Sequence, residues 1–452
     1  MLYSFFHRIA LFAIKLFFNT VTVENKERAL IDGPVIFVAN HPNFFMDPLI
    51  AGTFCPRTLH FFAKSTLFNT NLKKKILTKL NLVPIYRKID DQTNMDKNRD
   101  TFEKGYEILE KNGAFLIFPE GISKGKRVLE KIKTGTARIG FGAEVKNNFS
   151  LDVVIIPIGL SYSDLVRFRS NVMVRFGNPI RLADFEEEYR NDQFATVRKI
   201  TENIETALNK LTNYIPTEEI KDIVEGLELI YKMELMTKMG LELDNKKEGF
   251  LITKMLTNAV KWYQDKNPEK VTQFREKLKN YLSLLKELNI RDEFLDPARQ
   301  KKRGWNRTKT ILFLIAGFPL FMWGILTNYP PYKLPRLIVK WFHDFQVEEA
   351  SWKMMYGMVF FIVYYGFGIG IVWYLTRGLL WVGIFTISLI PSGNFALYYS
   401  KSINKYRQHV KFLSIFYQKR SIIFQIIEKR MTIMRFLQNA KDEYLESVQL
   451  ET

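Results

Sequence analysis

Cysteine is almost absent. The 452-residue chain has one, Cys55, which excludes an intrachain disulfide framework and any metal site built from cysteines. Histidine is also scarce, five residues scattered along the chain, and they give no metal-ligand spacing. Acidic residues are outnumbered, 47 Asp and Glu against 66 Lys and Arg, and the net charge of +19 points to anionic partners. Nucleic acid fits poorly, because the basic residues flank apolar segments instead of interleaving with aromatics on one groove-sized patch. An anionic membrane surface and phosphorylated small molecules fit better. Apolar residues are plentiful: 47% of the chain is hydrophobic and 38 residues are phenylalanine, enough for a core with apolar surface left over for lipid.

Residues 1–18 are apolar, with Ser4, His7, Arg8 and Lys15 on one side of a helical wheel and no small-residue cleavage site. This stretch reads either as a helix in the membrane interface or as one packed on its own domain. From about residue 34 to 180, strands alternate with helices. Residues 34–39, 57–64, 81–86, 113–118, 153–158 and 172–176 read as strands, and 95–112 and 134–145 as helices. That order predicts an α/β fold, a largely parallel sheet flanked by helices, with sites at the strand exits. Residues 218–295 read as helical throughout, with Asp265-Lys266-Asn267-Pro268 as the clearest break.

Composition changes at the basic cluster Arg299-Gln300-Lys301-Lys302-Arg303. Three apolar runs follow, residues 310–327, 354–376 and 378–399. The first two contain no charged residue and meet the roughly 18-residue length of a spanning helix. The basic cluster and the tail beyond Lys401 should both stay on the cytoplasmic side, which requires an even number of crossings. The expectation is therefore that the first two runs cross, while the third, interrupted by Pro391 and Gly393, stays in one leaflet. The tail from 401 to 435 carries nine basic residues and one acid on an apolar seven-residue repeat. A coiled coil is one reading; Phe412, Phe416 and Ile423 widen the stripe toward a basic helix lying on the bilayer. The expected divisions are an interfacial helix at 1–30, the α/β domain at 31–215, a helical region at 216–305, a transmembrane region at 306–400 and a basic helical tail at 401–452.

Two strand exits carry polar chemistry. Asn40-His41-Pro42-Asn43-Phe44-Phe45-Met46-Asp47-Pro48 leaves the first strand, and Pro119-Glu120-Gly121-Ile122-Ser123 leaves the strand that begins at Gly113. A His and an Asp on one short loop suit a base and its orienter: the imidazole takes a proton from a hydroxyl, and the carboxylate holds its tautomer. The same residues also read as a turn stapled by two prolines, with Asp47 capping a helix that begins at Pro48. Leu82-Val83-Pro84-Ile85-Tyr86-Arg87, Lys133-Thr134-Gly135-Thr136-Ala137 and Ile155-Ile156-Pro157-Ile158-Gly159 complete the pattern.

Together these blocks resemble the glycerolipid acyltransferase family, the glycerol-3-phosphate and 1-acylglycerol-3-phosphate O-acyltransferases. The family's signatures are Asn-His-x4-Asp and Phe-Pro-Glu-Gly-x-Ser or -Thr, and the likeness covers roughly the first two hundred residues. One departure is that five residues separate His41 from Asp47 instead of four. This longer spacing resembles the fungal-type branch that acylates glycerol 3-phosphate and dihydroxyacetone phosphate, and it turns the carboxylate away unless the loop bulges.

The resemblance implies a membrane-bound O-acyltransferase of phospholipid synthesis. It would move a fatty acyl group from acyl-coenzyme A or acyl carrier protein to a hydroxyl of a glycerophosphate-type acceptor. Glycerol 3-phosphate is the first choice, and lysophosphatidate or another lysophospholipid the alternative. A non-catalytic lipid-binding membrane scaffold is the rival from another class. By the same resemblance His41 is the base, Asp47 its orienter, and Glu120 and Gly121 lie beside the acceptor, with Glu120 orienting a hydroxyl or holding the loop. Arg87 and Lys64 are candidates for the acceptor phosphate, a guanidinium gripping oxygens as a fork and an ammonium acting as a point charge. A solvated strand end competes as the reading of Lys64. Ser123 and Lys124 are further candidates for phosphate contacts. No metal or other cofactor is expected, since a thioester is already activated. The expected partners are membrane lipids, the acyl donor and the acceptor, without nucleic acid. The expected setting is an integral membrane protein whose catalytic domain faces the cytoplasm.

Overall fold

The computed structural model describes residues 2–85, 98–126, 129–213, 215, 217–243, 245–295, 307–342, 348–418 and 420–450. The chain divides into two compact units, residues 1–214 with 343–354, and residues 215–342 with 355–452.

In the first unit, short runs of β-branched and aromatic residues form a sheet with eight strands among the described residues. They are β1 (Thr20–Glu24), β2 (Val35–Ala39), β3 (Leu59–Lys64), β4 (Leu82–Ile85), β5 (Ala114–Ile117), β6 (Val154–Tyr162), β7 (Asn171–Phe176) and β8 (Ile180–Arg181). The spatial order is β1-β7-β6-β2-β5-β3-β4, with β8 also against β6. β7 and β8 run antiparallel to β6, and the other described pairings are parallel. β2 and β6 are buried along their whole length, as their unbroken apolar sequence requires when helices cover both faces.

The helices of this unit are α1 (Leu2–Phe17), α2 (Met46–Phe54), α3 (Asn71–Lys79), α4 (Asn98–Glu110), α5 (Gly135–Lys146), α6 (Glu186–Asn191) and α7 (Gln193–Leu211). Ile36, Val38, Phe115 and Ile155 of the sheet share one core with Leu109 of α4, Ile139 and Phe141 of α5, and Ile200 and Ile204 of α7. Phe62 packs against this core, while its neighbour Phe61 lies against α2 at Gly52 on the other face. The stretch expected to be only a helix, 1–30, also holds β1. α1 ends at Phe17, and Thr20-Val21-Thr22-Val23-Glu24 pairs with β7 at the sheet edge. Ala13, Ile14, Phe17 and Phe18 are buried, while Phe5, Phe6, Ile9 and Phe12 face outward.

The second unit is helical: α8 (Glu218–Ile230), α9 (Lys232–Lys238), α10 (Lys246–Lys266), α11 (Pro268–Leu288), α12 (Arg307–Ala316), α13 (Phe318–Phe342), most of α14 (Glu349–Thr376), α15 (Leu379–Gln418) and α16 (Arg420–Leu450). The expected break separates α10 from α11: the Asn267 side chain accepts from the Lys270 amide, and Pro268 opens α11. The apolar surface of the basic tail is divided: Val410, Tyr417, Phe424 and Met431 of the seven-residue repeat are exposed, and other apolar residues are covered by protein. Phe412 of α15 and Ile423, Ile426, Ile433 and Leu437 of α16 are buried in one core with Phe274, Leu278 and Tyr281 of α11. Within this core Arg430 donates to Asp292 from Nε at 2.8 Å and from Nη2 at 3.2 Å, and the Tyr281 hydroxyl donates to Asp292 at 2.5 Å. Removing one partner leaves a buried charge without its counter-ion. Arg430→Ala is therefore expected to cost about 3–5 kcal/mol, read as a lowered unfolding temperature in detergent. An unchanged unfolding temperature would show that the pair contributes nothing.

α14 and α15 are each long and apolar enough to cross a membrane, and α12 with α13 forms a pair bent by 49°. This corrects the expected placing of the broken segment. α15 runs through Pro391 and Gly393 without interruption, and the break falls in the first apolar run at Gly317. Pro319, two residues on, has no amide hydrogen and crowds the carbonyl four residues before it, the usual cause of such a kink. Further along α13, Pro330 cannot donate to the Leu326 carbonyl, which instead accepts from the Tyr364 hydroxyl at 2.9 Å.

Candidate active site

β2 and β5 are adjacent and parallel, with Val38 opposite Ile117, so the chain leaves both strands at one edge of the sheet. The two polar loops therefore meet. Asn40 fixes the base of the first loop: its side chain donates to the Leu160 carbonyl at 2.9 Å and accepts from the Leu160 amide at 2.7 Å. This amide continues the β2–β6 ladder past the last paired residues, Ala39 and Ile158.

His41 Nδ1 lies 2.9 Å from Asp47 Oδ2. The extra residue of the loop is absorbed at Phe44, whose φ of 39° is in the left-handed region. The amide of Phe44 donates to Ser123 Oγ at 2.9 Å, which ties the first loop to the second. α2 begins at Met46 and not at Pro48, and Asp47 is not its cap. Phe45 holds the cap position, and Asp47 sits in the first turn of the helix. There the fully buried carboxylate also accepts from the Asn43 amide at 2.6 Å and from the Tyr162 hydroxyl at 2.6 Å. Burial, with the Asp47 charge beside it, holds the Tyr162 hydroxyl well above the ordinary phenol range, so it stays a donor.

With Asp47 accepting, Nδ1 carries the proton and Nε2 presents its lone pair. No described residue hydrogen-bonds Nε2, and the His41 side chain keeps 17% of its surface exposed. The ring stacks on Phe118 at 4.2 Å between centroids and 19° between planes. Tyr162→Phe would remove one donor from a buried carboxylate. It is expected to cost about 1–3 kcal/mol of stability and to lower turnover less than the loss of the Asp47 charge does. Unfolding in detergent and a turnover assay check both, and wild-type values in each would remove Tyr162 from the arrangement.

Glu120 is almost fully buried. It accepts from the His41 amide at 2.7 Å and from the Glu130 amide at 3.1 Å, one on each oxygen. Burial pushes its carboxyl up to about 7 against the pull of these two donors, and the Asp47 charge adds to the rise. In this geometry Glu120 holds the loop. Because its folded pKa lies above the ordinary 4.5, the unfolded chain binds fewer protons between those values, and stability falls as pH rises through that window. Glu120→Gln cannot titrate. Its stability relative to wild type should rise by on the order of 3 kcal/mol between about pH 4.5 and pH 7. Unfolding temperatures that move in parallel over that range would contradict this.

Gly121 has a φ of 71°, and a Cβ there would sit 2.6 Å from Lys133 Nζ, so the position admits only glycine without strain. The structure thus brings together His41, Asp47, Glu120, Gly121 and Ser123. Lys124 is exposed and pairs with Glu130 at 2.7 Å. Lys64 ends β3, which is separated from β2 by β5. Arg87 lies outside the described residues. Sequence reasoning quoted Asn40, Phe118 and Lys133 within the motif blocks but gave them no role, and it missed Tyr162. A small cavity next to His41 is lined by Asn40, Pro42, Lys126, Leu129, Tyr162 and Leu165 among others. Burial pushes the Cys55 thiol up to about 11, which leaves it unreactive at neutral pH.

A family model described as Acyltransferase matches residues 20–161, the span that carries His41, Asp47, Glu120, Gly121 and Ser123. The chain carries an acyltransferase domain. Its similarity to "Glycerol-3-phosphate O-acyltransferase 1" of Saccharomyces cerevisiae is 26% identity over 305 residues, 64% of this chain and 39% of the relative. "Glycerol-3-phosphate O-acyltransferase 2" of the same yeast is 29% identical over 136 residues, 30% of this chain and 18% of the relative. The chain thus spans well under half the length of these relatives. Among solved structures, the 1-acyl-sn-glycerophosphate (LPA) acyltransferase PlsC from Thermotoga maritima matches with a TM-score of 0.32 and 22% identity, over 45% of this chain and 79% of that one. The family resemblance carried by the motifs is the family found for the acyltransferase domain.

Proposed function

We propose that the chain is a membrane-bound O-acyltransferase that esterifies a glycerophosphate-type acceptor, glycerol 3-phosphate first, from a fatty acyl thioester. The observation that carries this reading is the His41–Asp47 pair, with Nδ1 held and Nε2 left open at the edge where both motif loops meet. The acceptor hydroxyl gives its proton to Nε2 as its oxygen attacks the thioester carbonyl. The tetrahedral intermediate collapses, the carbon–sulfur bond breaks, and the departing thiolate takes the proton back from the imidazolium. Asp47 keeps the tautomer and stabilises the transient imidazolium. The acceptor phosphate needs cations at this edge. Lys133 beside Gly121, with Arg87, Lys64, Ser123 and Lys124, are the residues we put forward for it.

The choice of glycerol 3-phosphate is supported by the names of the two yeast relatives. Integral membrane attachment is supported by the length and hydropathy of α14 and α15. A cytoplasmic acyltransferase domain follows from the location of coenzyme A and carrier-protein donors. The test is an assay of the purified full chain in detergent. It crosses acyl-coenzyme A and acyl carrier protein with glycerol 3-phosphate, dihydroxyacetone phosphate, lysophosphatidate and lysophospholipids. Transfer to glycerol 3-phosphate is expected. Transfer confined to lysophosphatidate or a lysophospholipid would replace the acceptor. No transfer to any of them would favour a non-catalytic lipid-binding scaffold.

A further inference from the structure

β3 and β2 both run parallel to β5, so β3 leaves the sheet at the edge where the His41 loop lies. The chain then makes a short turn, Ser65–Phe68, and enters α3, where the Thr70 side chain caps the helix by accepting from the Lys73 amide. None of the nine residues of α3 is buried. Leu72 is 69% exposed, Ile76 42%, and Leu67 in the preceding turn 43%. At about 100° per residue, Leu72 and Ile76 stand side by side on the helix surface. Lys75 and Lys79 flank them on one side, and Lys73 falls between Leu80 and Leu77 on the other. Leu77 and Leu80, half-buried, turn inward. The helix contains no acidic residue, and no described carboxylate pairs with its lysines.

We infer that α3 docks on an anionic lipid bilayer, with Leu72 and Ile76 entering the boundary between headgroups and acyl chains and Lys75 and Lys79 meeting anionic headgroups. An aliphatic pair with cations along one side matches that layered partner on both counts. Duplex nucleic acid would meet the lysines but leave the aliphatic pair without a counterpart. An acidic protein is the other class that could cover such a face. The bilayer is favoured because the same chain holds helices long and apolar enough to cross one, and the inference rests on the membrane-bound reading above. The inference does not depend on the reaction, since no residue of α3 belongs to the arrangement around His41.

The test places an environment-sensitive fluorophore on Leu72→Cys in the full chain, with Cys55→Ala removing the native thiol. The protein is reconstituted in nanodiscs of either zwitterionic lipid or a mixture rich in phosphatidylglycerol. Phe194→Cys, an exposed position on α7, serves as the control. The inference expects a blue shift at position 72 and protection from an aqueous quencher in the anionic discs only, with no change at position 194. Charge reversal by Lys75→Glu and Lys79→Glu together should abolish the shift. Equal quenching at position 72 in both lipids would overturn the inference without recourse to the charge variant. A shift produced by added acyl carrier protein, and not by anionic lipid, would overturn it in favour of an acidic protein.

Discussion

His41→Ala should lower kcat for acyl transfer by about 10²- to 10⁴-fold while leaving the fold intact, because it removes the group that takes the hydroxyl proton in the transition state. The ring itself makes few structural bonds. The loop is held by the Asn40 side chain on Leu160 and by the His41 amide on Glu120, and both survive the substitution. The Michaelis constant of the donor should change little, since the loss falls on the chemical step. Turnover within a few fold of wild type, in a variant that unfolds at the wild-type temperature, would take His41 out of the mechanism.

Asp47→Asn should be nearly as damaging. The native carboxylate faces three donors: His41 Nδ1, the Asn43 amide and the Tyr162 hydroxyl. An amide of the same shape can keep its oxygen at the Oδ2 place, accepting from His41 and from the Asn43 amide, and turn its NH2 to the Tyr162 hydroxyl, which then accepts and loses its own acceptor. What the substitution removes is the carboxylate charge that stabilises the imidazolium formed as His41 takes the hydroxyl proton. A fall in kcat on the order of 10²- to 10⁴-fold is expected. Some stability should also be lost, about 1–3 kcal/mol for a buried donor left unpaired. A negligible change in kcat would mean that Asp47 only braces the start of α2.

The motif residues were legible because they follow apolar runs that can only be buried strands. That the two loops would meet was less so, since it rests on β5 lying next to β2. The six-residue step from His41 to Asp47 looked unfavourable for a paired carboxylate. Nothing in the sequence says that Phe44 takes a left-handed conformation and lets the loop bulge. Tyr162 was out of reach for a similar reason. It sits 115 residues from Asp47, on the last position of a strand expected to end at Ile158. β1 was missed because Thr20–Glu24 follows directly on an apolar helix and becomes a strand only through pairing with β7. The tail's apolar stripe was plain, but whether a bilayer or α11 covers it is a tertiary choice that periodicity does not encode. In the apolar region attention fell on Pro391, which α15 tolerates, while the bend lies at Gly317 near Pro319.

The most direct measurement of the central claim is the pH dependence of kcat/KM for acyl transfer to glycerol 3-phosphate in wild type, His41→Ala and Glu120→Gln. A base at His41 predicts a rate that falls as pH is lowered and the imidazole takes up a proton. The buried Glu120 carboxyl, raised to about 7, also takes up a proton as pH is lowered, and the third protein removes that contribution. The account predicts that the acidic limb persists in Glu120→Gln and disappears, with most of the rate, in His41→Ala. A limb retained in His41→Ala at near wild-type rate would contradict it.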